Sequence, residues 1–97
     1  MRVLYKGVGE APNRVELPAS MRALRASVGG PVEMHKIATA AAVVCNAEGA
    51  VRGLPYNCSF LGMDWRGPLL IVGINGEEFC DIPENSFIFL ETMVGRK

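Results

Sequence analysis

The sequence predicts an α+β domain: a mostly antiparallel sheet of five to six strands, with one short helix after the second strand and a C-terminal helix packed on the sheet. Three observations support this fold class. Most apolar segments are short enough to be strands, Asn75-Gly76 separates two of them at a predicted hairpin, and helical spacing of apolar residues is confined to two segments. The length of 97 residues predicts a single domain, residues 1–97.

The chain begins with two predicted strands. The segment "MRVLYK" places Val3 and Tyr5 on one side and Leu4 on the other. The Gly, Pro and Asn residues of "GVGEAPN" then predict a turn. The segment "RVEL" alternates polar and apolar residues, so we expect it to pair back onto the first strand.

A helix is predicted over about residues 20–28. Met21, Leu24 and Val28 are spaced as i, i+3 and i+7, which places them on one helical face. Ser20 can accept a hydrogen bond from the first turn as an N-cap, and Gly29 can end the helix in a left-handed conformation.

Two further strands are predicted in the middle of the chain. "PVEMHKI" alternates, which places Glu33, His35 and Ile37 on one side of a strand. "TAAAVVCN" is a continuous apolar run of the kind found in buried central strands, and "NAEG" predicts a tight turn after it. The segment "CSFLGMDWRG" is expected to be irregular or to form one helical turn.

The C-terminal part predicts a hairpin and a helix. "PLLIVG" is the clearest strand of the chain, and the Asn75-Gly76 turn pairs residues 69–74 with 77–80. Phe87, Leu90 and Val94 have helical spacing, which favours a C-terminal helix, although the Phe-Ile-Phe-Leu run could equally form a strand. One of Phe87 and Phe89 is expected in the core, and the other needs cover, for which a second subunit is one candidate.

Composition narrows the classes of partner. Ten basic and ten acidic residues give a formal net charge of zero, which argues against a nucleic-acid-binding protein and against a DNA mimic. A neutral surface with 49% apolar residues favours a homo-oligomer. The sequence shows neither an apolar run of membrane-spanning length nor a signal peptide, so we expect no membrane partner and a cytoplasmic location, in the host cell if a phage encodes the protein.

The cysteines and the histidine predict no metal site and no cofactor. Cys45, Cys58 and Cys80 are odd in number and form no CxxC pair, so we interpret them as buried thiols of a reducing compartment. His35 is the single histidine and has no liganding neighbour in the sequence, whereas zinc typically requires four ligands.

Several segments together resemble a family of small phage and Firmicute proteins described as a domain of unknown function. The segments are "VGGPVEMHKI", "AVVCNAEGAVRGLPYN" and "LLIVG" followed by "EEFCDIPENSFIFL". The resemblance implies an origin in phages, prophages or mobile elements, and it implies no particular activity. The C-terminal helix departs from the family pattern because it is more apolar. The matching positions are Gly29, Gly30, Val32, Glu33, Cys45, Asn46, Glu48, Gly49, Gly53, Leu54, Pro55, Asn57, Val72 and Gly73.

The segment "EGAVRGLPYN" is the first candidate binding site. Arg52 offers a planar fork for phosphate or carboxylate, Tyr56 offers a ring for stacking, and the Asn57 amide can read a base edge. The alternative is a structural loop in which Asn57 caps the backbone. Trp65 and Arg66 are the second candidate, since such pairs are enriched at binding hot spots, with core packing of Trp65 as the alternative.

Two classes of function follow from these candidates. No catalytic triad, HExxH motif or P-loop is present in the sequence, so we expect no enzymatic activity. The first hypothesis is an anti-defence protein that sequesters a nucleotide-type immune signal in a pocket of a homo-oligomer. In this hypothesis Arg52 or Arg66 binds phosphate, and Tyr56 or Trp65 stacks on a base. The second is a protein–protein inhibitor, such as an anti-CRISPR or another anti-defence protein. A concave site with cationic and aromatic walls would favour the first hypothesis, and a flat exposed apolar patch the second.

Overall fold

The computed structural model describes residues 1–95, which form a six-stranded sheet, a separate two-stranded hairpin and two α-helices. This confirms the predicted α+β class; residues 96 and 97 of the predicted domain lie outside the described residues. The elements are β1 Arg2–Lys6, β2 Asn13–Glu16, α1 Met21–Val28, β3 Val32–Ala38, β4 Ala41–Asn46, β5 Tyr56–Phe60, β6 Met63–Arg66, β7 Leu69–Asn75, β8 Glu78–Cys80, a 3₁₀ turn at Glu84–Ser86, and α2 Phe87–Gly95.

The large sheet is antiparallel throughout and has the order β2-β1-β7-β4-β3. β8 pairs with the last residues of β7, which confirms the predicted hairpin. The turn lies one residue later than predicted, at Gly76-Glu77, because Asn75 still belongs to β7 and pairs with Glu78; Gly76 adopts a positive φ of 66°. β7 therefore pairs with β4 along one edge and with β1 and then β8 along the other.

The two faces of the sheet carry different layers. Directly paired residues of antiparallel strands share a face, so the register places Lys6, His35 and Cys45 on one face, which we call the hairpin face. The β5–β6 hairpin and α2 cover this face, and α1 covers the other. All six residues of β4 are buried because both faces of the sheet are covered.

α1 has the predicted ends, and both helices bury most of the residues predicted for their core faces. Ser20 Oγ accepts a hydrogen bond from the Ala23 N–H at 3.2 Å, and Gly29 ends α1 with a φ of 80°. Leu24 is fully buried, whereas Met21 lies at the edge of the helix face. In α2 the buried residues are Phe87, Leu90 and Val94, which confirms the helix and the assignment of one phenylalanine to the core.

The prediction of an irregular segment at 58–67 was wrong, because most of this segment belongs to the β5–β6 hairpin. Leu61 and Gly62 form its two-residue turn and both have positive φ, 52° and 72°, as in a type I′ turn. Such turns are normally signalled by Asn-Gly or Asp-Gly, and leucine at the first position gave no such signal.

Among the described residues, none of the helices has both the length and the apolar content that crossing a bilayer requires.

Candidate functional site

The predicted binding loop is a compact, internally bonded turn. The Arg52 N–H donates to the Glu48 carbonyl at 2.8 Å, and the Leu54 N–H donates to the Gly49 carbonyl at 2.8 Å. The Arg52 guanidinium is exposed and donates to the carbonyl of Gly29 at 3.3 Å, next to the end of α1. The loop therefore leads the chain from β4 onto the hairpin face, where β5 begins.

Asn57 is buried and makes three hydrogen bonds. Its Nδ2 donates to the carbonyl oxygens of Lys6 at 3.0 Å and Gly67 at 2.8 Å, while its Oδ1 accepts from Lys6 Nζ at 2.8 Å. The amide thus joins β1 to β5 and to Gly67, the residue that follows β6. With these bonds in place, Asn57 positions Lys6, and the prediction that its amide reads a ligand directly does not match this geometry.

Lys6 is a buried cation, and the described part of the chain gives it no carboxylate partner. Its side chain is on the hairpin face and the residue is 8% exposed. No ion pair within residues 1–95 includes Lys6. The lysine ammonium has three donors, and the Asn57 oxygen takes one of them, so two remain for a ligand.

A cleft of about 580 Å³ opens beside Lys6, between the β1–β2 loop, the start of β5 and the end of α2. Tyr56 lies at its rim, 47% exposed, and Glu10 is the single carboxylate among the described lining residues. Burial raises the pKa of the Cys58 thiol, and the nearby charge of Lys6 acts in the opposite direction. The lining residues are Lys6, Val8, Gly9, Glu10, Ala11, Pro12, Tyr56, Asn57, Cys58 and Gly95.

Tyr56 is held in place by a short chain of hydroxyl groups. Ser59 Oγ donates to Asp64 Oδ1 at 2.6 Å, so the Tyr56 hydroxyl is the donor in its 2.7 Å bond to Ser59. Arg66 is the direct cross-strand partner of Tyr56, and its exposed guanidinium donates to the Leu54 carbonyl at 3.3 Å. A ring and a cation therefore lie side by side on the outer surface of the hairpin.

Trp65 points to the opposite side of the hairpin, into the core. It is 3% exposed, its ring stacks on Phe60 with a centroid distance of 5.1 Å, and the His35 ring makes a T-shaped contact with it at the same centroid distance. In this placement Trp65 offers no open ring face to a base, contrary to the sequence-based hypothesis. Packing against Phe60 and His35 is its observed role.

A second, smaller cavity of about 180 Å³ lies along β6, the other strand of the hairpin, with Trp65 and Arg66 among its lining residues. Glu33, His35 and Cys45 meet there, and His35 Nε2 is 2.9 Å from Glu33 Oε2. The expectation that His35 has no liganding neighbour was therefore wrong. Strand pairing places Cys45 opposite Glu33 although the two residues are twelve positions apart. Burial and then the Glu33 charge raise the pKa of Cys45 to about 11.

The sequence comparisons agree with the resemblance to a domain of unknown function. A family model described as "Domain of unknown function (DUF3846)" matches residues 1–94. This chain belongs to the DUF3846 family. No curated protein and no solved structure matches the chain. The family match covers every residue of the cleft and of the smaller cavity except Gly95.

The five predicted residues do not form one site in the DUF3846 domain. Tyr56 and Asn57 line the cleft, Trp65 and Arg66 line the smaller cavity, and Arg52 lines neither of these two.

Sequence reasoning missed Lys6 altogether, although the alternation of β1 already placed it on the side of Leu4. The alternation gives the face of the sheet on which Lys6 lies, but it indicates a buried lysine only if both faces of the sheet are known to be covered.

Proposed function

We propose that this DUF3846 domain is a non-enzymatic binding protein that holds an anionic small molecule of the nucleotide class in the cleft beside Lys6. The observation that carries this proposal is the buried ammonium group of Lys6, which has an amide partner but no carboxylate partner within residues 1–95. A buried charge is costly unless it is paired, and a bound phosphate would pair it.

The nucleotide class is supported by what surrounds Lys6. The cleft volume of about 580 Å³ lies in the range of small-molecule sites. Tyr56 offers a half-exposed ring at the rim, on which a base can stack. Lys6 takes the phosphate-binding role that the sequence-based hypothesis gave to Arg52 or Arg66, and Asn57 fixes the position of the Lys6 ammonium.

The biological setting of this proposal comes from the resemblance. A phage or mobile element would encode the protein, and the protein would sequester a nucleotide immune signal of the host and so keep it from its receptor. Sequestration requires tight binding and no turnover, which suits a chain without a recognisable catalytic motif. We further propose that the protein is a homo-oligomer in the host cytoplasm, and the exposed apolar residues of α2 and the hairpin turn support the association.

Thermal denaturation against a panel of nucleotides, including cyclic dinucleotides and ADP-ribose derivatives, tests the proposal. A ligand at about 100 times its dissociation constant adds about 2.7 kcal/mol, which raises the melting temperature of a domain of this size by roughly 10 °C or more. Lys6→Met should abolish the shift, whereas Lys36→Met, which changes an exposed lysine on the other face of the sheet, should keep it. Glu10→Gln should enlarge the shift in melting temperature, because it removes a negative charge from the cleft that would repel an anionic ligand.

Tyr56→Phe and Tyr56→Ala separate stacking from hydrogen bonding. The phenylalanine variant keeps the ring and should retain the ligand-induced shift, and the alanine variant should lose most of it. A panel that shifts nothing would contradict the nucleotide class, and a shift that survives Lys6→Met would place the ligand elsewhere on the molecule.

A second candidate function, a protein–protein inhibitor, rests on a different surface. Phe89 and Ile88 on α2 are 69% and 72% exposed, and Leu61 in the hairpin turn is 60% exposed. Phe89 and Leu61 line one apolar groove of about 500 Å³. Exposed apolar groups of this size commonly mark contact surfaces between proteins.

A further inference from the structure

The side chains of Glu33, His35 and Cys45 converge on the hairpin face, where the edge strand β3 pairs with β4. Glu33 and His35 are two residues apart on β3 and so share a face, and Cys45 lies directly opposite Glu33 on β4. Glu33 Oε2 is 2.9 Å from His35 Nε2 and 3.9 Å from Cys45 Sγ, and the three ligand atoms all lie within 4.8 Å of one another. The backbone register itself therefore brings the three groups together.

We propose that these three residues form a binding site for Zn²⁺ or a similar divalent transition-metal ion. Imidazole nitrogen, thiolate sulfur and carboxylate oxygen are the three ligand types that zinc uses in proteins. At bond lengths of about 2.0–2.3 Å, the ligand atoms of a tetrahedral site lie about 3.3–3.7 Å apart. The observed distances from Glu33 Oε2, 2.9 Å to His35 Nε2 and 3.9 Å to Cys45 Sγ, lie on either side of this range. Side-chain rotations can therefore bring the three ligand atoms into tetrahedral positions without moving the strands.

The surroundings suit a three-ligand site with one open position. The cavity of about 180 Å³ beside the cluster has room for a water molecule as the fourth ligand, since a water occupies about 30 Å³. Trp65 packs edge to face against the His35 ring, which restricts its orientation. Magnesium and calcium prefer all-oxygen sites, so the thiol and the imidazole favour zinc-type ions over them.

The competing explanation of the cluster is a simple ion pair between Glu33 and a protonated His35. That explanation gives Cys45 no role, whereas the metal site needs its sulfur. The two explanations therefore predict different behaviour of Cys45 variants towards metal.

The test is a Zn²⁺ titration of tag-free protein in competition with a chromophoric chelator, with Co²⁺ as a spectroscopic probe. We expect one ion per chain and a thiolate-to-Co²⁺ charge-transfer band in the near ultraviolet. Removing a side chain that only supports a metal ligand lowers metal affinity by about 10–100-fold. Removing a ligand itself should cost more, so Cys45→Ala and His35→Gln should each weaken Zn²⁺ binding by more than about 100-fold. Cys80→Ala, which removes the half-buried thiol of β8, should bind as the wild type does.

Three results would overturn the proposal: wild-type protein that does not compete with the chelator, a Co²⁺ complex without the thiolate band, or Cys45→Ala and His35→Gln variants with wild-type affinity. The His35 and Glu33 side chains are 32% and 53% exposed, so His35→Gln and Glu33→Gln should fold even if Cys45→Ala does not. Circular dichroism of each variant establishes its fold before the titration. Since Lys6 and the cleft take no part in this site, a negative nucleotide panel leaves the metal test unaffected.

Discussion

The hydrogen bonds of Asn57 show how one buried amide can hold a β-strand, a hairpin and a cation in place. They link residues that are 51 and 10 positions apart in the chain. Each such bond contributes about 1 kcal/mol, and leaving a buried partner unsatisfied costs more.

We expect Asn57→Ala to lower the free energy of unfolding by about 2–4 kcal/mol, because it removes all three hydrogen bonds and leaves the ammonium of Lys6 without its partner. Urea denaturation measures the change. Asn13→Ala, at an exposed position of β2, serves as the control and should change the stability little. Equal effects of the two substitutions would show that the buried amide has no special role.

Leu61 carries backbone strain that a substitution can relieve. It adopts a φ of 52° in the hairpin turn while its side chain is 60% exposed, so it gains little from burial. The left-handed conformation costs most residues roughly 1–2 kcal/mol, and asparagine tolerates it better.

Leu61→Asn should therefore raise the free energy of unfolding by about 1 kcal/mol, or the melting temperature by about 4–8 °C. Leu61→Ala removes the same apolar surface without relieving the strain and should give no such gain. A stabilisation that is equal in both variants would attribute the effect to the lost apolar surface.

For single residues, the sequence indicated what chemistry each side chain can offer but not whether the fold buries it. Trp65 and Asn57 were predicted as candidates for ligand contact, and both are buried. Lys6 was missed because a lysine at a strand end is normally solvated. Its burial depends on a hairpin that begins fifty residues later and that the local sequence did not signal.

Among the elements, α2 is attached to the sheet edge by charge as well as by its apolar side. Glu91 accepts two hydrogen bonds of 3.0 Å from the Arg14 guanidinium on β2. The same guanidinium lies 4.7 Å from the centre of the Phe87 ring. Arg14 thus contacts both the first and the second turn of α2.

The contact has a defined pH dependence. The hydrogen bond from Arg14, with its charge, lowers the pKa of Glu91 in the folded protein. In the unfolded chain the Glu91 carboxyl group has the ordinary glutamate pKa of about 4.3, so it binds a proton more tightly there than in the folded protein. The stabilisation is fully present above that pH, and it is lost as the pH falls through the lowered folded-state value.

We accordingly expect Glu91→Gln to be less stable than wild type at pH 7 and to approach wild-type stability as the pH falls below about 4. Urea denaturation at a series of pH values measures the difference. Glu77→Gln, in the exposed β7–β8 turn, is the control and should follow the wild type at every pH. A Glu91→Gln difference that is constant with pH would exclude the ion pair as its cause.

The elements that the sequence predicted well are those with local signals. Ser20 and Gly29 flank α1, and Asn75-Gly76 predicted the β7–β8 turn to within one residue; each signal lies in or next to the element that it defines. The β5–β6 hairpin has a leucine in its turn and only nine residues in its two strands, so its pairing is set mainly by the sheet beneath it. The candidate sites depend on that hairpin, and for this reason they could not be assembled from the sequence.

For the molecule as a whole, the exposed apolar residues of α2 and the hairpin turn predict association. Phe89→Ser should shift a homo-oligomer towards monomer in sedimentation velocity, because Phe89 is 69% exposed on the groove that this surface forms. Glu16→Ser, at an exposed position of the β2 edge, should leave the association state unchanged. A wild-type protein that is monomeric at high concentration would instead direct the search to a different protein as the partner.

The position of β7 in the sheet has a consequence for synthesis on the ribosome. β1 is made first, yet two of the strands that complete its surroundings, β7 and β8, are made some seventy residues later. Until residue 75 has left the exit tunnel, β1 and β4 both present an open backbone edge, and such edges pair readily with other chains. Closing the sheet must wait for these long-range pairings, which fold slowly because a large loop has to close first. A nascent chain that stalls before β7 is therefore the form of this protein most exposed to aggregation.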